Sequence, residues 1–263
     1  MTMLKLASSV AVVASSFLGL AGCSSASSTP TSNDYDDVAQ STAALVVTAS
    51  GGGELGSMSD SASLAIGVTP GDVTLNASGT FDGDHSGVSY TFTLSCTDAS
   101  GAALSHCGPT TNDATANVAW SGNLTLPNLQ ATVTRSGDWT VTGAQTGTAT
   151  FNGTGSFTFA STFASAFRNA TASTNLSYNA TYSSITYAML AHQATGGSVH
   201  YTIDASREAS STGGQSNASF SIDAVLTFGA GGSATGSATG SATLVLDGSH
   251  TYLVSATGAV TKI

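Results

Sequence analysis

The segment Asp82-Gly83-Asp84-His85 has three metal-type ligands within four residues. Carboxylate oxygens are the ligands that Ca²⁺ prefers, but an EF-hand loop would continue with further acids and a bidentate glutamate, and none follows. The segment therefore favours a polar turn between strands over a metal site. A second acidic group, Asp34, Asp36 and Asp37, is explained by its position at the positive end of a predicted helix.

Groups that could hydrolyse a substrate are present without a recognisable arrangement. The sequence has no Gly-x-Ser-x-Gly elbow, and its histidines show no His-Glu-x-x-His spacing. Nothing in the sequence places Glu54 or Glu208, the only glutamates, beside an aspartate for glycoside chemistry, so both are expected to be surface groups. We therefore predict that the protein is not an enzyme and holds no cofactor or metal. The histidines are His85, His106, His192, His200 and His250.

The first residues have the layout of a secretory signal. Lys5 precedes an apolar run over 6–20, and small residues lead to Cys23. Serines interrupt this run, which is shorter than the ~20 apolar residues that span a bilayer. The residues Leu20-Ala21-Gly22-Cys23 resemble the lipobox of bacterial lipoproteins. An ordinary signal peptide with an incidental cysteine is the alternative.

The lipobox resemblance implies processing and a location. Residues 1–22 would be removed, the Cys23 sulfur would carry a diacylglyceryl group, and the new amine would be acylated. Two or three acyl chains anchor a protein stably, so the membrane becomes its partner through this lipid. Ser24 stands where an aspartate commonly signals inner-membrane retention, so the resemblance implies the outer membrane of a cell envelope. Residues 23–33 are polar and predict a flexible tether.

The charge of the remaining chain excludes one class of partner. Beyond residue 22 there are four basic and fifteen acidic side chains, a net charge of −11. Nucleic-acid binding requires clusters of basic residues, so we expect no nucleic-acid partner. Hydroxyl and small residues dominate instead, as in many exported β proteins. The basic residues are Arg135, Arg168, Arg207 and Lys262.

Two further cysteines suit an exported protein. With Cys23 lipidated, Cys96 and Cys107 remain, in a compartment that is oxidising. We predict a disulfide between them, which would stabilise the fold by about 3 kcal/mol. A metal site that uses both cysteines and His106 is the alternative, but the adjacent His-Cys pair has poor geometry and no fourth ligand is evident.

Helical periodicity is confined to residues 34–66. The first helix begins at Asp34 and ends before Gly51-Gly52-Gly53, with one apolar face. A second helix is predicted from apolar residues between Leu55 and Ile66. The apolar face of the first helix consists of Tyr35, Val38, Thr42, Leu45 and Val46.

From Val73 onward, apolar residues alternate with serine and threonine, as in antiparallel strands that are wet on one side. Three segments predict hairpin turns: Ser136-Gly137-Asp138, Asn152-Gly153 and Asp247-Gly248. About ten or more strands result, and an open sheet of that length must curl, split or close. We therefore predict a single mainly β domain over 34–263: a strongly curved antiparallel meander or incomplete barrel with the helices packed on it. A two-sheet β-sandwich is the alternative.

Function is the least determined property of the sequence. The first hypothesis is a lipid-anchored envelope protein that serves as a non-enzymatic surface or periplasmic interaction module. The second is a carrier that holds a lipid or other apolar ligand inside the curved sheet, since apolar pockets are the usual ligand sites. The residues expected to line such a site, or otherwise to form an ordinary core, are Tyr90, Phe92, Trp120, Trp139, Phe157 and Phe159.

Overall fold

The computed structural model describes residues 27–46, 53–85, 87–126, 129–164, 171–211, 214–229 and 242–263. The predicted signal peptide and the lipidation site Cys23 lie outside these residues. The elements are α1 (Ser32–Val46), α2 (Gly53–Ala65), β1 (Val73–Leu75), β2 (Phe81–His85), β3 (Val88–Thr97), β4 (Asp113–Leu126), β5 (Leu129–Thr142), a 3₁₀ turn (Ala144–Thr146), β6 (Thr148–Ala164), β7 (Thr171–Ala188), β8 (Gln193–Ser211), β9 (Gly214–Phe228), β10 (Ala242–Leu246), β11 (His250–Val254) and β12 (Val260–Lys262).

All twelve strands form one sheet in the order of the chain, and each pairs antiparallel with the next. β1 and β12 are the edges, so the sheet is open. The predicted curved antiparallel meander with helices packed on it is confirmed, and the sandwich alternative is not adopted. The twelve described strands therefore belong to a single sheet.

The two faces of the sheet differ in composition. Along β3 the side chains alternate between buried and exposed almost without interruption. We call the face with the buried residues the inner face and the other the outer face. Aromatic and branched residues fill the inner face, and serine and threonine dominate the outer one. This is the period-two pattern of a sheet that covers only one side.

The helices lie inside the curve of the sheet. α2 contacts β3 and α1 contacts β11, and the helices contact each other. In a flat sheet β3 and β11 would be roughly 38 Å apart, because neighbouring strands lie ~4.8 Å apart. The sheet therefore wraps around the helices. This explains why α1 is buried on nearly all sides, whereas the sequence predicted burial of one face only.

Two of the three predicted hairpin turns are wrong. Ser136-Gly137-Asp138 lies within β5, and Asn152-Gly153 lies within β6, where the register shifts by a bulge. The Asn152 side chain accepts a hydrogen bond from Ser184 N at 2.8 Å across this bulge. The pairing of β6 with both β5 and β7 therefore outweighs the local turn preference of Asn152-Gly153. The third turn is confirmed, since Asp247 and Gly248 join β10 to β11 with φ of 45° and 68°.

The predicted disulfide is confirmed. Cys96 at the end of β3 is bonded to Cys107, with their Cα atoms 5.3 Å apart. The bond closes the connection between β3 and β4 and occupies both thiols that the alternative metal site would need.

Candidate functional site

A row of small residues crosses the inner face of four neighbouring strands. Val118, Gly137, Gly155 and Ala180 are cross-strand partners in β4, β5, β6 and β7. A Cβ atom on Gly137 would lie 2.4 Å from the Thr154 carbonyl oxygen, so glycine is required there. The row leaves room on the inner face for large polar side chains.

A buried ion pair fills that room. Arg135 in β5 places Nε 2.7 Å from Glu54 Oε1 at the start of α2, and its Nη1 donates to the Val118 carbonyl oxygen at 2.7 Å. The Tyr182 hydroxyl of β7 donates to the other Glu54 oxygen. The expectation that Glu54 is a surface group is wrong, because its side chain is only 2% exposed. A buried carboxylate requires such partners, and here two strands, β5 and β7, supply them.

The environment of the ion pair shifts the pKa values of Tyr182 and Arg135. Burial raises the pKa of Tyr182 well above its usual value, and the Glu54 carboxylate raises it further. Burial alone would lower the pKa of Arg135, but Glu54 and Tyr182 outweigh it, so the guanidinium stays charged. The Trp139 ring lies 4.2 Å from the Arg135 Cζ atom and adds a cation–π contact. The cluster fixes α2 to the inner face of β5 and β7.

A polar groove of about 690 Å³ lies on the outer face, directly opposite the small row. The backbone of Val118, Gly137, Gly155 and Ala180 forms its floor. Short side chains, polar in all cases except Ala119, stand in two parallel rows along its sides, and each row has one residue from each of β3, β4, β5, β6 and β7. The rows are Thr91, Ala119, Ser136, Ser156, Asn179 and Thr93, Asn117, Asp138, Thr154, Thr181.

The side chains of the groove form hydrogen bonds, and Asp138 is the carboxylate among them. Ser136 and Ser156 lie 3.1 Å apart and share a hydrogen bond. The residues Asn117, Asp138 and Asn179 are exposed, so their side chains are accessible to a ligand in the groove. This site is not predicted by the sequence, because its residues converge only through the register of five strands. The signal in the sequence that could have indicated it is the pair of glycines, Gly137 and Gly155, at inner positions of the neighbouring strands β5 and β6.

The six residues predicted to line an apolar ligand site all lie in the core. Each is at most 2% exposed, and Trp120 lies between Tyr90 and Phe157, with ring centroids 5.9 and 6.0 Å away. The Tyr90 hydroxyl also accepts a hydrogen bond from Gly53 N of α2 at 2.9 Å. They pack as core, and their role in a ligand site stays a prediction. The six are Tyr90, Phe92, Trp120, Trp139, Phe157 and Phe159.

The acidic residues Asp82 and Asp84, which were expected in a polar turn, lie elsewhere. Asp82 and Asp84 lie in β2 and not in a turn. Asp82 accepts hydrogen bonds from Asn76 at 2.6 Å and Thr91 at 3.1 Å. In the parts of the chain that the structure describes, no three His, Cys, Asp or Glu side chains are grouped as ligands for a metal ion.

Two acids at the start of α1, Asp34 and Asp36, form three contacts with the sheet. Asp34 pairs with Arg207 of β8, and Asp36 Oδ1 accepts from the Tyr252 hydroxyl at 2.7 Å. Lys262 Nζ lies 2.8 Å from the same Asp36 oxygen. These residues therefore attach the first turns of α1 to the sheet, beyond any favourable effect on the helix dipole.

One histidine has a carboxylate partner. His200 Nε2 lies 2.5 Å from Asp223 Oδ1 on the outer face, and both side chains are at least half exposed. The pair lies beside the β7 end of the groove described above, because His200 is the cross-strand partner of the groove residue Thr181.

Comparisons with known proteins give no relative from which the role of this site could be inferred. Within the described residues, neither helix is long and apolar enough to cross a bilayer. No protein-family model, no curated protein and no solved structure matches the chain.

Proposed function

We propose that this protein is a lipid-anchored envelope protein that acts as a non-enzymatic interaction module, with the polar groove as its contact surface. The observation that carries the proposal is the division of the sheet into two faces. The chain's own helices occupy the inner face, while the outer face presents two ordered rows of short polar side chains. Partner binding is therefore assigned to the outer face.

The position of Ser28 supports the anchored arrangement. Ser28 donates from its backbone N to the Ser219 carbonyl oxygen of β9 at 2.7 Å, and its hydroxyl donates to the same oxygen at 3.0 Å. The lipid proposed at Cys23 lies only a few residues earlier in the chain. We therefore propose that the membrane lies near β9, while the groove lies on β3 to β7.

Anchoring is tested by replacing the lipidated cysteine. The chain, expressed in a bacterial host with labelled palmitate, should carry label and sediment with membranes. Cys23→Ser should lose the label and leave the membrane fraction, whereas Ser24→Ala should behave as the unchanged chain. Equal labelling of Cys23→Ser and the unchanged chain would exclude the lipid anchor.

Use of the groove is tested by photo-crosslinking in the same cells. A photoreactive residue at Asn117 or Asn179 should form adducts with an envelope component. The same residue at Thr140, exposed on β5 but outside the groove, is the matched control. Adducts that form equally from Thr140, or from none of the three positions, would reject the groove as the contact surface.

A further inference from the structure

We propose that the groove binds a neutral, extended β-linked glycan that lies across strands β3 to β7. This inference rests on the proposed function, because it names the ligand class of the same surface. Charge, hydrogen-bonding groups and spacing each support it.

Charge argues against an anionic ligand. The described outer-face residues of β3 to β9 include no lysine or arginine. The groove contains one carboxylate, Asp138, and no positive group that would attract an anion. An anionic polymer would meet a surface of its own sign, because the chain is strongly acidic as a whole.

The polar groups match a polyol. Asn117 and Asn179 lie towards opposite ends of the groove, and each amide offers one acceptor and two donor hydrogens. The Asp138 carboxylate accepts only, and is suited to neighbouring hydroxyl groups of one sugar ring. Threonine hydroxyls beside them donate or accept as required. A ligand that is rich in hydroxyl groups satisfies all of these groups at once.

The spacing of the groove suits a repeating chain. Neighbouring strands lie ~4.8 Å apart, and residues on one face of a strand repeat every ~6.8 Å. The strand spacing is close to the length of one sugar unit in an extended β-linked glycan, so each strand offers one pair of side chains to one unit. The floor is held in place from below, since Arg135 donates to the Val118 carbonyl oxygen. Such a preformed site loses little entropy on binding.

The test uses the full chain, processed in a bacterial host and purified in a detergent without a sugar headgroup. Isothermal titration compares cellopentaose and chitopentaose with anionic pentagalacturonate. Thr154→Arg places a long side chain in the middle of the groove, and Thr140→Arg places the same side chain on an exposed position of β5 outside it. Circular dichroism checks that both variants fold.

The expected result is binding of a neutral pentasaccharide that Thr154→Arg weakens by at least about tenfold and Thr140→Arg by less than about twofold. Pentagalacturonate should not bind. Lack of binding of both neutral probes, equal binding of the anionic probe, or equal effects of the two arginine variants would each overturn the glycan inference. Photo-crosslinks from Asn117 to a protein, together with no glycan binding, would overturn it while leaving the interaction module intact.

Discussion

Arg135 and Glu54 form a buried ion pair, with Nε and Oε1 2.7 Å apart, that joins the start of α2 to β5. The same guanidinium donates to the Val118 carbonyl oxygen, whose residue contributes to the floor of the groove. The pair therefore connects the helix inside the sheet to the surface outside it. A change at either residue should affect both stability and the shape of the groove.

Removal of one partner of this pair should be costly. Glu54→Leu or Arg135→Leu leaves a buried charge without its partner, so each should lower the free energy of unfolding by about 3–5 kcal/mol. The double variant should recover much of that loss, because no buried charge remains. Urea unfolding measures all three, with the exposed Glu208→Leu as a control that changes stability by less than about 0.5 kcal/mol. Single-variant losses as small as that of the control would show that the pair is not buried.

The floor of the groove should tolerate no side chain at one position. Gly137→Ala would bring a Cβ atom within 2.6 Å of Gly155 Cα as well as close to the Thr154 carbonyl oxygen, so β5 and β6 would have to separate. We expect a loss of about 1–3 kcal/mol of unfolding free energy. Gly71→Ala is the control, since nothing lies within 4 Å of its added Cβ and the variant should be nearly neutral. A Gly137→Ala protein as stable as the Gly71→Ala protein would contradict this geometry.

Alkaline pH should destabilise the protein through its tyrosines. All seven tyrosines have a raised pKa, with burial as the largest cause, and for Tyr90 the value is about 12. The folded state keeps these protons while the unfolded chain releases them near pH 10. Stability from this source is fully present below pH 10 and is lost as pH rises from about 10 towards 12, by ~1.4 kcal/mol per pH unit for each tyrosine that ionises only on unfolding.

Absorbance at the tyrosinate band and urea unfolding, measured at the same pH values, test this. Little tyrosinate should form before the protein unfolds, and Tyr90→Phe should reduce the pH slope of the unfolding free energy. Gradual ionisation of most tyrosines near pH 10 in the folded protein would be inconsistent with their burial.

Local patterns in the sequence were sufficient for the class of fold. Alternation such as that of Val88 to Cys96 depends only on the side of the strand that faces the core, and it predicted β3 correctly. The helices were also found from their own periodicity. Turn assignments failed at Asn152-Gly153 because the turn preference of two residues is small compared with pairing on both sides of a strand of 17 residues.

The site could not be predicted in the same way, because it depends on contacts between distant residues. Glu54 and Arg135 are 81 positions apart, and nothing near either residue indicates that the other will be its partner. The groove rows require the register of five strands, and a shift of one residue in any strand would move its side chains to the other face. The glycines Gly137 and Gly155 are a local signal for this place, but Gly137 was assigned to a turn from the sequence alone.

The disulfide offers a last prediction, on stability and compartment together. Cys96→Ala with Cys107→Ala opens the connection between β3 and β4, and it should lower the unfolding free energy by about 3 kcal/mol because the unfolded chain gains freedom. Dithiothreitol should lower the stability of the unchanged protein by a similar amount and leave the double variant unaffected. Mass spectrometry under non-reducing conditions should show the bond in protein taken from the cell envelope. Free thiols in that protein, or a reductant effect that persists in the double variant, would contradict the prediction.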